Sequence, residues 1–139
     1  MGTKPSRRAL PVDFMADLHA IPATAALGPD TKLLEAAHEA IELHVRENKL
    51  FLESCNLAWA DRAALDVNTA ERKAIWKRVR SMLRLCGKLP ATTPAGIFAK
   101  ALLVEKTKGM APALALSLAR DLRNSPTLRR ALWPVEQVV

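Results

Sequence analysis

The sequence predicts an all-α protein in which a long antiparallel helical hairpin packs with two or three shorter C-terminal helices. Half of the 139 residues are hydrophobic, Ala and Leu dominate that half, and aromatic residues make up 4%. Ala and Leu favour helix, whereas strands favour β-branched and aromatic residues. Proline and glycine residues divide the sequence into segments of helical length.

The first thirty residues are expected to form a region of their own. Residues 1–12 are a basic arm that carries Lys4, Arg7 and Arg8, and a short helix over 14–21 and a loop follow. Residues 31–139 are expected to form one helical domain, with the hairpin over 31–88 and the C-terminal helices over 93–133.

The first hairpin helix is predicted to begin at Thr31, with Asp30 or Thr31 as its cap, and to run without Gly or Pro to about residue 65. A stripe at alternating four- and three-residue spacing, here named the seam, is typical of a helix packed lengthwise on another helix. Asn48 in the seam is a candidate for fixing register or oligomeric state. The seam consists of Leu34, His38, Ile41, Val45, Asn48, Leu52, Cys55 and Trp59.

The second hairpin helix is predicted to begin at Asn68, which forms a capping-box pattern with Glu71, and to end at Gly87. Its apolar stripe is Ile75, Val79, Met82 and Cys86. Cys55 and Cys86 both lie in apolar stripes, so we expect two buried free thiols that are too far apart to bridge.

Proline signals define the C-terminal helices. Thr93 is a cap with Pro94 at the first helical position, and this helix is predicted to end near residue 107. The next helix spans 112–124, and Ser125-Pro126 begins a last short helix that Pro134 ends. Gly96 is expected to let another helix approach closely.

The most distinctive segment is Leu-Pro-Ala-Thr-Thr-Pro-Ala-Gly-Ile-Phe-Ala-Lys-Ala at 89–101, followed by Leu-Ser-Leu-Ala-Arg-Asp-Leu at 116–122. With these segments the chain resembles a group of small helical proteins from bacterial and prophage-like loci, in which a long helical hairpin precedes such a turn. The resemblance covers residues 32–122. It implies a helical fold and no particular activity.

The net charge of +7 is unevenly distributed. The second hairpin helix is strongly basic, while the first carries more carboxylates than basic residues. Three interpretations stay open: a helix that faces its acidic neighbour and solvent, a phosphate-binding face, and a docking face for an acidic protein. The candidate anionic-partner face is Arg72, Lys73, Lys77, Arg78, Arg80, Arg84 and Lys88.

No pattern of residues predicts catalysis. Glu35 and His38 have the Glu-x-x-His spacing of di-iron bundles, but no His follows His44 to supply a second copy. Candidate Ser and Cys nucleophiles lie within helices, and the glycines are too isolated to form a phosphate loop. We therefore expect no enzyme activity, no catalytic residue, no cofactor and no metal ligands.

These observations favour a non-enzymatic helical scaffold or regulatory protein that acts through protein–protein contact, including self-association through the seam. The alternative is a basic nucleic-acid-binding accessory protein that contacts phosphates with little sequence preference. No apolar stretch approaches the roughly 20 residues of a membrane-spanning helix, so we expect no membrane partner and a cytoplasmic location.

Overall fold

A computed structural model describes residues 28–57 and 61–132 of the chain. Within these ranges the backbone is helical with no strand, which confirms the all-α prediction. The basic arm, the predicted helix over 14–21 and Trp59 of the seam lie outside the described residues. The helices are α1 (Thr31–Asn56), α2 (Arg62–Lys88), α3 (Pro94–Thr107), α4 (Pro112–Asn124) and α5 (Pro126–Leu132).

The two long helices form the predicted antiparallel hairpin. Asn68 on α2 donates from Nδ2 to the carbonyl of Leu50 on α1 at 2.9 Å. Further along α2, Arg78 donates from Nε to Glu39 Oε1 at 2.5 Å. Contacts made further towards the C-terminus of α2 therefore reach residues further towards the N-terminus of α1, which makes the two helices antiparallel. The three shorter helices form a second layer on this hairpin. α3 packs on α1, α4 packs on both α2 and α3, and α5 contacts α4.

The helix boundary inside the hairpin differs from the prediction. α1 ends at Asn56 rather than near residue 65, and α2 begins at Arg62 rather than at Asn68. Asp61 is the N-cap of α2, and its Oδ1 accepts from the backbone N–H of Ala64 at 3.1 Å. The capping-box interpretation of Asn68 is wrong, because this residue lies inside α2 with its side chain buried against α1.

Among the described seam residues, the buried ones lie in the first half of the seam. Leu34 and Ile41 are buried, whereas Asn48 and Leu52 are exposed. At 100° per residue, the α1 residues that pair with α2, Glu39 and Glu47, lie on a different side of α1 from the seam, so the seam is not the side that faces α2. Cys55, the last described residue of the seam, is an exposed free thiol, and its predicted burial is wrong.

The apolar stripe of α2 is buried as predicted, and Cys86 is a buried free thiol within it. The predicted cap at Gly87 is wrong, since α2 continues through Lys88 to a C-cap at Leu89. Gly87 instead faces the start of α4, where a Cβ on it would lie 3.8 Å from the Cα of Leu114.

The turn between α2 and α3 is bound to the carboxylate of Asp30, which is 2% exposed. Thr92 and Thr93 donate their backbone N–H groups to it at 3.0 and 2.8 Å, and both hydroxyls donate as well. The Thr93 hydroxyl also accepts from the N–H of Gly96 at 3.1 Å, which caps α3 as predicted. Asp30 therefore joins the start of α1 to the start of α3.

A second buried carboxylate binds the same turn. Asp121 on α4 accepts from the N–H of Ala91 at 3.1 Å and from Lys100 Nζ at 2.5 Å. Lys100 is fully buried, and its Nζ also donates to the Ser117 hydroxyl at 2.8 Å. This ion pair lies between α3 and α4 and ties both helices to the end of α2.

Gly96 is where the carboxylate of Asp30 makes its closest approach. A Cβ on Gly96 would lie 2.0 Å from Asp30 Oδ2 and 3.2 Å from the Cβ of Ala91. The expectation that Gly96 lets another helix approach closely is therefore wrong. The group that approaches this glycine is the carboxylate of Asp30.

The two helical glycines give a matched pair of substitutions. Gly96→Ala displaces Asp30 and is expected to lower the free energy of unfolding by about 2–3 kcal/mol. Gly87→Ala adds a methyl at ordinary contact distance inside a helix, so we expect a gain of up to about 1 kcal/mol. Urea unfolding followed by circular dichroism measures both values. Equal effects of the two substitutions would contradict the position assigned to Asp30.

Stability should also depend on the ionisation of Asp30. Burial acts to raise the pKa of this carboxyl, but the hydrogen bonds from Thr93 and Thr92 outweigh burial and hold the pKa below its ordinary value. The stability that Asp30 provides is therefore present above its unfolded pKa of about 3.9 and is lost as pH falls towards the folded pKa.

Asp30→Asn tests this dependence. It removes the negative charge and replaces one accepting oxygen with an NH₂ group, which faces the N–H and O–H donors of Thr92 and Thr93. We expect it to cost about 2–3 kcal/mol at pH 7, and we expect the difference from the wild type to shrink below about pH 4. Thermal unfolding between pH 7 and pH 3 measures the difference. Asp66→Asn, at an exposed position of α2, is the control and should change stability by less than about 0.5 kcal/mol. A constant Asp30→Asn difference across this range would show that the carboxylate charge is not what the turn binds.

Candidate anionic-partner interface

The seven basic residues of the candidate anionic-partner face all lie on α2, but they divide into two sets. Arg72 and Arg78 point towards α1 and form ion pairs with its carboxylates. Arg72 donates from Nε to Glu47 Oε1 at 2.8 Å, and Arg78 holds both oxygens of Glu39. Arg72 also lies over the ring of Phe51, with its guanidinium carbon 5.0 Å from the ring centroid. These two residues are part of the hairpin contact.

The other five residues form a separate stripe. Each is exposed, and no carboxylate of the described residues lies within the 4.0 Å limit of an ion pair. We name this set the open basic stripe: Lys73, Lys77, Arg80, Arg84 and Lys88.

The open basic stripe is narrow because its spacing matches the helix period. At 100° per residue its members fall within about 80° of arc, and they extend over about 22 Å of helix. The core-facing residues Val79 and Cys86 lie on the opposite side of α2. Arg78, which binds α1, is turned well away from the stripe on the same helical projection. The stripe is therefore a solvent-facing surface of concentrated positive charge.

An apolar groove of about 390 Å³ adjoins one edge of this stripe. It lies between the last turns of α2 and the segment that leads into α4, and we name it the α2–α4 groove. Met110 stands at its margin with 64% of its surface exposed. The groove is lined by Arg80, Leu83, Arg84, Gly87, Lys88, Met110, Ala111, Pro112, Ala113 and Leu114.

A second apolar surface lies at the turn end of the hairpin. Phe51, Leu52 and Val67 are 45%, 57% and 68% exposed. A shallow pocket there is lined by Leu50, Leu57 and Val67 among others. Of the three exposed side chains, Val67 lines this pocket and Phe51 and Leu52 do not.

Two groups in the described core have the composition of reactive sites, and both are buried. Ser117 next to Lys100 has the composition of a serine–lysine nucleophile, but both side chains are buried together with Asp121. Burial raises the pKa of the Cys86 thiol to about 11, so it is protonated at neutral pH and a poor nucleophile. Within residues 28–57 and 61–132, no three His, Cys, Asp or Glu side chains are grouped as a metal site requires.

The seven basic residues can be predicted from the sequence, whereas the α2–α4 groove cannot. All seven were predicted from their charge, and the structure brings five of them together in one stripe. The division into paired and open sets depends on which α1 carboxylates face α2, and charge counts do not contain this information. The groove arises where Gly87 meets Ala113 and Leu114 across two helices that are distant in sequence. Its one signal in the sequence is the apolar start of α4.

The chain matches no protein-family model, no curated protein and no solved structure. In the described part of the chain, no helix combines the length and the apolar character that crossing a membrane requires.

The two sets of basic residues should differ in their contribution to stability. Arg72→Gln leaves the carboxylate of Glu47, which is 6% exposed, without its cation and should cost about 1–3 kcal/mol. Arg84→Gln removes an open charge and should change the free energy of unfolding by less than about 0.5 kcal/mol. Chemical unfolding at low ionic strength compares the two variants. A larger loss for Arg84→Gln would mean that the stripe is covered.

Proposed function

We propose that this protein is a non-enzymatic helical adaptor that acts through protein–protein contact, with the open basic stripe as its binding surface for an acidic partner. The observation that carries the proposal is the division of the basic residues of α2. Arg72 and Arg78 are paired with α1, while five neighbours present their charge outward. Exposed, unneutralised charge on one face of a rigid helix speeds association with a partner of opposite charge and fixes its orientation.

The apolar border of the stripe favours a protein partner over a nucleic acid. Interfaces with DNA are more polar and more positively charged than those between proteins. Here Met110, Pro112 and Ala113 extend the surface next to the basic residues. The lining of the α2–α4 groove contains no aromatic side chain, so it offers no platform for stacking bases.

Nucleic-acid binding is the second candidate, and the length of the stripe favours it. Five basic residues over about 22 Å of helix can contact several phosphates of a duplex, which carries one charge per about 1.7 Å of axis. This binding would need no base contacts and would weaken steeply with salt.

The adaptor proposal includes self-association, which would use the seam of α1 and not the open basic stripe of α2. Asn48 and Leu52 of the seam are exposed next to Phe51, so this part of the seam is open to another copy of the chain. An isologous dimer uses one such self-complementary patch on both subunits. We also propose that the protein belongs to the group of bacterial or phage-encoded helical proteins that its turn resembles, and that it is cytoplasmic.

Binding of two anionic probes separates the candidates. The full chain is titrated into fluorescein-labelled poly-L-glutamate and into a labelled random 20-base-pair duplex, at 50 and 200 mM salt. We expect poly-L-glutamate to be bound at both salt concentrations and the duplex to show no binding at 200 mM. A duplex that binds more tightly than poly-L-glutamate and loses about 10²–10³-fold in affinity over this salt range would favour phosphate contact instead.

Charge reversal locates the surface. Arg80→Glu/Arg84→Glu/Lys88→Glu should abolish binding of poly-L-glutamate, because it reverses the charge of three of the five residues of the stripe. Lys49→Glu/Arg123→Glu/Arg129→Glu makes the same change in net charge at exposed positions elsewhere and should retain at least half of the binding signal. Equal loss in both variants would show that only net charge matters. Light scattering on the same samples gives the oligomeric state.

A further inference from the structure

The α2–α4 groove combines three features around one opening. Its floor is apolar, with Leu83 and Leu114 buried beneath it. Its outer wall is formed by Met110, Pro112 and Ala113, of which Met110 has a long, flexible and polarisable side chain that adapts to different apolar partners. Its opposite rim is basic. An apolar floor with a charged rim is the composition of a peptide-binding groove.

The basic rim has a regular spacing. Arg80, Arg84 and Lys88 follow one another at intervals of four residues, and each step is about 6 Å along α2. A second helix that lies along this rim and carries carboxylates four residues apart repeats the same distance. Three ion pairs can then form in register, without any change in the backbone of α2.

The start of α4 adds positive potential at the other side of the groove. Its N-cap is Ala111, which provides no side-chain hydrogen bond to the first turn. The positive end of a helix macrodipole favours a nearby carboxylate. The groove thus has positive potential on both sides and apolar contacts between them.

From these features we infer that the α2–α4 groove binds an acidic amphipathic helix of a partner protein. The apolar residues of one face of that helix, at i, i+3 or i+4, and i+7, lie on Leu83, Gly87 and Met110. Its flanking carboxylates pair with Arg80, Arg84 and Lys88. This inference rests on the proposed adaptor function and adds the site, the secondary structure and the residue pattern of the partner.

The glycine in the floor supports an occupied groove. A side chain at Gly87 would have only ordinary contacts with α4, so packing between α2 and α4 does not require glycine there. Glycine inside a helix costs about 1 kcal/mol relative to alanine. Its absence of a side chain deepens the groove at the level of Arg84 and Lys88, where an apolar side chain of the partner would enter.

Two peptides of identical composition test the inference. The first is an 18-residue helical peptide in which Leu recurs at alternating four- and three-residue spacing, so that it forms one apolar face. Glu lies on both sides of that face. The second is its scramble, which keeps the charge and loses the apolar face. Fluorescence anisotropy with the full chain at 150 mM salt should show at least tenfold tighter binding of the amphipathic peptide. Equal affinity for both peptides would overturn the groove while leaving the adaptor proposal in place.

Single substitutions then locate the contact. Arg84→Glu, which changes the basic rim, and Met110→Asp, which changes the outer wall, should each lower the affinity for the amphipathic peptide at least tenfold. Neither residue is buried. Gly87→Ala should weaken it at least threefold while the fold keeps or gains stability. Arg123→Glu, on the exposed side of α4, should leave the affinity within twofold. Unchanged binding in Met110→Asp and Gly87→Ala would overturn the inference.

The chain itself contains one other source of such a segment. Residues 13–21, outside the described part of the chain, carry Asp13 and Asp17 together with Phe14, Leu18 and Ile21. If the full chain binds the peptide weakly and Asp13→Lys/Asp17→Lys raises the affinity at least tenfold, the chain's own segment is the occupant and the partner-protein inference is overturned. If this variant leaves the affinity unchanged, the groove is open to a partner.

Discussion

Two buried carboxylates from opposite ends of the described chain hold the turn between α2 and α3. Three successive backbone N–H groups, those of Ala91, Thr92 and Thr93, donate to Asp121 and Asp30. A buried backbone donor without an acceptor costs about 1–3 kcal/mol, so this turn depends on both partners being in place. The starts of α1 and α3, the end of α2 and the last turn of α4 therefore meet at a single point.

The binding surface follows from that arrangement. Asp121 and Lys100 fix α4 against α3 and the end of α2, and this places Ala113 and Leu114 opposite Gly87. The hairpin makes the second contribution, because α1 neutralises only the side of α2 that faces it. The charge on the other side has no partner among the described residues, and it lies beside the apolar groove. Stability and candidate function thus use opposite faces of the same helix.

The parts of the fold that could be predicted are those encoded by neighbouring residues. Thr93, Pro94 and Gly96 are three positions apart at most, and they gave the start of α3 correctly. Asn68 and Glu71 had the same kind of local pattern, yet Asn68 binds the Leu50 carbonyl across the hairpin, and Asp61 caps α2 instead. No local pattern reveals that Asp30 binds residues more than sixty positions away. The basic residues could be found from sequence for the same reason, whereas their pairing could not.

Hydrogen exchange at the turn tests this account most directly. Amides in a turn rich in Thr and Pro normally exchange close to the rate of an unstructured peptide, unless they donate to groups that water does not reach. Two-dimensional NMR of the exchanging chain should show the amides of Ala91, Thr92 and Thr93 protected to the same degree as that of Val79 in the core of α2. Exchange of these three amides at the unprotected rate, with Val79 still protected, would contradict the role assigned to Asp30 and Asp121.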